Sequence, residues 1–143
     1  MGEIMKGEVF ITQLKRIYHP KGDVFHAIKK SDLGFNGFGE AYFTAILHGE
    51  TKGWKRHSQM CLNLIVPVGM VRFYIYNELD NTTLSYDLGF DNYARLSIAS
   101  GNWVAFHGLG SDLNLILNVA SMEHDQNEST NVPLSTFPLA ARP

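Results

Sequence analysis

The stretch Val71-Arg72-Phe73-Tyr74-Ile75-Tyr76-Asn77 alternates apolar and polar or amphipathic side chains without a break, while helical periodicity hardly appears anywhere in the chain. Such alternation places Val71, Phe73 and Ile75 on one face of a strand and Arg72, Tyr74 and Tyr76 on the other. Further short stretches rich in β-formers read as strands: Glu8–Leu14, Val24–Ile28, Ala41–Leu47, Leu62–Val68, Leu84–Leu88, Arg95–Ile98, Trp103–His107 and Leu113–Val119. Between them stand turn residues, among them Pro20-Lys21-Gly22-Asp23, Gly34–Gly37, Gly69, Asn77–Asn81 and Gly108–Gly110. Short strands with no long helix between them predict an all-β sandwich or barrel closed by antiparallel pairing. No internal repeat and no second domain are visible, so residues 1–143 read as one domain. From about Gln126 the chain turns polar and carries three prolines, which predicts an irregular tail over the surface.

Composition narrows the function classes. The 143 residues are 45% apolar and 12% aromatic, enough to bury a core and too apolar for wholesale disorder. Twelve Lys and Arg against 14 Asp and Glu give a net charge of −2, without the basic surplus of an indiscriminate nucleic-acid binder. The apolar run Cys61–Met70 is interrupted by Asn63 and Pro67 and is too short to span a membrane. The opening MGEIMKGEVF lacks the apolar core of an export signal, and the lone Cys61 has no disulfide partner in the chain. A soluble, cytoplasmic protein is the expectation.

The segment Thr51-Lys52-Gly53-Trp54-Lys55-Arg56-His57-Ser58-Gln59-Met60 carries the chemistry. If it is extended, Lys55, His57 and Gln59 share one face, and Trp54, Arg56 and Ser58 take the other. Two readings fit. Lys55 and His57 look inward as a proton-transfer pair, or Lys52, Lys55 and Arg56 form a solvated strand edge that blocks aggregation. Elsewhere, Arg72 suits a diphosphate through bidentate pairing, with Tyr74 and Tyr76 beside it, or all three form the solvated face of their strand. Trp103 is either a stacking platform for a base or sugar or a core tryptophan. His124-Asp125 reads as a turn or cap, and His107 as a loop histidine.

Lys52-Gly53-Trp54-Lys55-Arg56-His57, followed by Leu62-Asn63-Leu64-Ile65-Val66-Pro67-Val68-Gly69, resembles the signature strand pair of one cupin group. That group comprises the dTDP-sugar 3,4-ketoisomerases and the dTDP-4-dehydrorhamnose 3,5-epimerases. Gly39-Glu40-Ala41-Tyr42-Phe43, Asp91-Asn92-Tyr93, Gly101-Asn102-Trp103 and His124-Asp125 add a resemblance to epimerase-related proteins of surface-polysaccharide gene clusters. The likeness runs from about Val9 to Glu128. It implies a double-stranded β-helix, the jelly roll of the cupins, and a homodimer, in which the N-terminal strand, Glu8–Leu14 here, either reaches across its partner or pairs within its own chain.

The resemblance also assigns roles. The group's leading arginine, which helps to hold substrate, falls on Lys52, its first histidine on Lys55, and the second histidine of the ketoisomerases on His57. The tyrosine facing the sugar falls on Tyr42, while the epimerases' acid tyrosine falls near Asn118, which cannot act as that acid. No carboxylate is evident in place of the aspartate that supports the epimerase histidine. The site expected is therefore catalytic Lys55, His57 and Tyr42, with Lys52, Arg72, Tyr74 and Trp103 binding a nucleotide sugar. Metal cupins use a His-x-His pair and a histidine on the second motif; here those positions hold Lys55 and Val104, so neither metal nor other cofactor is expected. Two functions follow as expectations: isomerisation or epimerisation of a nucleotide-linked 4-keto-6-deoxy sugar, or binding of such a sugar without reaction.

Overall fold

A computed structural model describes residues 7–139, and the chain's first six residues, including most of the segment read as lacking an export signal, lie outside them. One five-stranded sheet has the order β1 (Val9–Gln13), β9 (Ala94–Ile98), β6 (Leu62–Val68), β11 (Asn114–Ala120), β4 (Glu40–Ile46). A second has the order β12 (Ser129–Asn131), β5 (Thr51–His57), β10 (Trp103–Gly108), β7 (Met70–Asn77), β8 (Thr82–Gly89). A ribbon of β2 (Arg16–Ile17) and β3 (Val24–Phe25) completes the strands, all paired antiparallel. The only helical turn among the described residues is a 3-10 turn at Leu134–Thr136, and no helix is long and apolar enough to cross a membrane. This is the expected all-β jelly roll.

Alternation decides what fills the space between the sheets. Val71, Phe73 and Ile75 of β7 point inward, as their spacing predicts, and meet Leu64, Leu96 and Ile116 of the facing sheet. Pro67 is tolerated in β6, a central strand, because the ladder to β11 slips there: Leu115 faces Val68, and two residues on Leu117 faces Ile65. The extra residue in β6 forms a bulge, where a missing N–H breaks no ladder bond. Gly69, at φ +83°, then turns the chain directly into β7.

The segment from Gln126 onward departs from the irregular tail that its polarity suggested. Ser129, Thr130 and Asn131 pair with His57, Arg56 and Lys55, so β12 covers the free edge of β5. Beyond it Val132, Leu134, Phe137 and Leu139 pack on the outer face of the second sheet, against Trp54, Tyr76, Trp103 and Ala105. The Phe137 ring stacks on Tyr76 at 4.1 Å and meets Trp54 edge-on at 5.7 Å. The Trp54 indole N–H donates to the Leu134 carbonyl at 3.0 Å. The part of the second sheet around Trp54, Tyr76, Trp103 and Ala105 is thus covered on both faces, inward by the barrel and outward by this C-terminal arm.

Candidate active site

Strand β5 carries most of the polar wall, and its register explains how. Lys55 faces Val104 on β10, but two residues further along β10, Phe106 faces Lys52, three residues away on β5. The additional residue is a bulge at Gly53 and Trp54. Gly53 has φ +146°, and a Cβ there would stand 2.7 Å from the Ala105 Cα, so only glycine fits. The bulge changes the parity of the strand. Simple alternation would put Lys52 on the face of Trp54 and Arg56; instead Lys52, Lys55 and His57 all look into the barrel, while Trp54 is buried under the C-terminal arm.

The barrel encloses a cavity of about 320 Å³. Its floor is apolar, from Leu62, Leu64, Phe73, Val104, Phe106 and Ile116, and its polar wall holds Lys52, Lys55, His57, Tyr42, Thr44, Asn118 and Asn131. Among the described residues, two ammonium groups and no carboxylate line it, which suits an anionic ligand. The Lys52 ammonium donates to the Ala45 carbonyl at 3.1 Å, tying β5 to the edge strand β4. Lys55 is half-buried and has no hydrogen-bond or ion-pair partner among the described residues, so its charge is directed to whatever occupies the cavity.

His57 is buried, and its Nδ1 lies 2.7 Å from Oε1 of Glu128, which is buried too. The second oxygen of that carboxylate accepts the backbone N–H of Gln59 at 2.9 Å and of Met60 at 2.7 Å. Burial alone would push the Glu128 carboxyl up, but the hydrogen bonds from His57 and these two amides outweigh it and hold the group below the usual glutamate value. An ionised carboxylate only accepts, so Nδ1 of His57 carries a proton, and Nε2 is the ring nitrogen left for proton exchange. The pair is an oriented imidazole, the arrangement a general base requires.

Glu128 is a carboxylate that the sequence does not point to, and it supports His57, whereas the aspartate of the epimerases belongs to the histidine that falls on Lys55. Glu128 lies in the polar tail, 71 residues from its partner and close to the more conspicuous His124-Asp125 pair, so no local spacing points to it. A turn closed by the Glu128 N–H on the Asp125 carbonyl, at 2.9 Å, delivers it to the barrel.

Three expected binding residues lie elsewhere. Arg72 and Tyr74 alternate with the inward Phe73 and so face away from the cavity; the Arg72 guanidinium is engaged bidentately by Asp87, at 2.7 and 2.9 Å, which raises it further above its ordinary value. Trp103 is buried on the outer face of the second sheet, its indole N–H on Glu78 at 2.9 Å and the Arg56 guanidinium 4.7 Å above its ring. The reading of Trp103 as a core residue is the one that holds. His107 bonds Thr51 at 2.7 Å and takes no place in the cavity wall. Tyr42, on β4, does line the cavity, and its hydroxyl accepts a hydrogen bond from Asn118 at 3.1 Å. Among the described residues no three His, Cys, Asp or Glu side chains converge as a metal site would require.

No family model and no curated protein matches the sequence. Solved structures do match. A sugar 3,4-ketoisomerase from Thermoanaerobacterium thermosaccharolyticum in complex with TDP superposes with a TM-score of 0.74 at 19% identity, over 85% of this chain and 86% of the other. A dTDP-6-deoxy-D-glucose-3,5-epimerase from Legionella pneumophila in complex with dTDP-4-keto-L-rhamnose gives 0.78 at 15% identity, over 92% and 79%. Those two show the shared fold. A dTDP sugar isomerase from Desulfovibrio desulfuricans is similar in sequence as well, at 30% identity and a TM-score of 0.87 over 92% of this chain and 89% of that one. On that likeness, the chain belongs to the cupin-type dTDP-sugar isomerase and epimerase family.

Proposed function

We propose that this protein isomerises or epimerises a nucleotide-linked 4-keto-6-deoxy sugar by proton transfer, with His57 as the base. The observation that carries the reading is the His57–Glu128 pair, in which the carboxylate takes the Nδ1 side of a ring on the cavity wall and leaves Nε2 as the nitrogen able to exchange a proton with a ligand. A ketone acidifies the neighbouring carbon–hydrogen bonds. His57 Nε2 removes one such proton, and the electron pair moves into the carbonyl to give an enolate. The Lys55 ammonium, which has no other partner among the described residues, stabilises the oxyanion. Return of a proton to the other face of the same carbon gives an epimer. Proton transfer through the enediol to the carbonyl carbon gives the isomeric ketone, and neither route consumes an oxidant or reductant.

In this reading Lys52 holds the diphosphate and Tyr42 orients the sugar, both roles supported by their place in the cavity wall. Arg72, which pairs with Asp87 on the far side of the sheet, has no part in this. A homodimer, cytoplasmic location and a role in surface-polysaccharide biosynthesis belong to the same proposal, the first supported by the apolar outer face of the first sheet. There Phe43 is 61% and Leu47 71% exposed, beside the unpaired edge of β4.

The test is incubation with dTDP-4-keto-6-deoxyglucose in deuterium oxide, followed by proton NMR. Entry of deuterium is expected at C3 or C5 if the sugar is epimerised, and at C4, the former carbonyl carbon, if the ketone moves. His57→Ala should slow it by about 10²–10⁴-fold, and Lys55→Ala by about 10²–10³-fold. Tight binding of the sugar nucleotide with no exchange would overturn the reading and leave a binding module.

A further inference from the structure

Asn118 occupies the place where the resemblance puts an acid tyrosine, and its hydrogen bonds have a fixed direction. On β11 it stands directly opposite Tyr42 of β4, and both side chains line the cavity. Asn118 is buried, and its Oδ1 accepts the backbone N–H of Asn63 at 3.2 Å. A backbone N–H can only donate, so the amide cannot be turned round, and its NH₂ must face Tyr42. Asn63 is itself pinned: its Nδ2 donates to the Gly34 carbonyl at 3.0 Å, and its Oδ1 accepts from Ser97 at 2.6 Å.

The direction carries through to the phenol. Its O–H lies near the ring plane, in one of two orientations. The incoming N–H of Asn118, at 3.1 Å, takes the lone pair on one side. The hydrogen is thereby turned to the other side, and it has no acceptor among the described residues. We infer that Asn118 is a positioning residue that makes Tyr42 an obligatory hydrogen-bond donor to an acceptor-only oxygen of the ligand, the ketone oxygen of the sugar. This rests on the keto-sugar reading above. It assigns the cavity a second device for the oxyanion, on the sheet facing Lys55, and a preference for a carbonyl over a group that must donate at that point. Reversing the polarity, rather than removing the side chain, is the informative change.

Asn118→Asp keeps the shape. One carboxylate oxygen still accepts from Asn63, but the other captures the Tyr42 hydrogen, and the phenol then has only a lone pair to offer. In the deuterium-exchange assay kcat should fall about 10²-fold, as for loss of one oxyanion donor. Tyr42→Phe should fall equally, and in the Tyr42→Phe background Asn118→Asp should cost nothing more. A loss that persists in that background comes from the added charge alone and overturns the inference. A readout free of substrate separates this from failure of the proposed function. With tyrosine labelled by carbon-13 at Cζ, the Tyr42 resonance should shift in Asn118→Asp, and also in Asn118→Ala should the aspartate variant not fold. A resonance that stays in place overturns the inference even if wild-type exchange is fast. A shifted resonance without wild-type exchange upholds the hydrogen-bond direction and refutes only the sugar chemistry.

Discussion

A buried carboxylate with three hydrogen-bond donors ties stability to pH through one residue. Glu128 holds its proton less readily in the folded protein than in the unfolded chain, where a glutamate titrates near about 4.3. Its contribution is therefore complete above that value and is lost as pH falls through the lower, folded one. Glu128→Gln should destabilise the protein by about 1–3 kcal/mol at neutral pH, as expected for a charged hydrogen-bond hub. Urea denaturation of both proteins from pH 7 to pH 3 checks the sign: the gap between them should close on acidification. At this scale the sequence was partly legible. The inward face of Lys55 and His57 follows from alternation, but that of Lys52 does not, since the bulge at Gly53 shifts the strand's parity. Nothing in a single strand announces a bulge in its pairing.

The C-terminal arm is the element that the sequence hid. Strands such as Leu62–Val68 and Val71–Asn77 were readable because each alternates or runs apolar over its own length. Strand β12 is three polar residues, and only its distant partner β5 makes it a strand. The arm also settles Trp103. Alternation separates the two faces of β10 without saying which is inward, and the arm makes both dry. Its anchor is Phe137, packed against Trp54, Tyr76 and Trp103. Phe137→Ala should cost about 1–3 kcal/mol, below the range for a fully buried phenylalanine because the ring is half-buried. Tryptophan emission should shift to the red as Trp54 and Trp103 gain access to water. Because the same arm carries Glu128, deuterium exchange should also slow, although Phe137 is absent from the cavity wall.

At the level of the molecule, two sheets divide the labour. The second supplies Lys52, Lys55 and His57, and the first supplies Tyr42 and Asn118 across the cavity. The first sheet's outer face bears Phe43 and Leu47, with Val68 and Leu113 also exposed. Side chains of that kind, grouped at a free sheet edge, are what a second copy would cover. Light scattering should accordingly give the mass of a dimer for the native protein and of a monomer for Phe43→Glu, with circular dichroism unchanged; a native monomer would refute the homodimer. The fold as a whole was legible because strand spacing and turn glycines are spread along the entire chain. The contact between His57 and Glu128 was not, because it joins two segments with no shared pattern. β1 to β11 supply the walls that hold Lys52, Lys55 and His57, and the carboxylate that orients the imidazole comes only with the segment after them, so a break between Ala120 and Glu128 would leave the barrel strands in place and His57 without its partner.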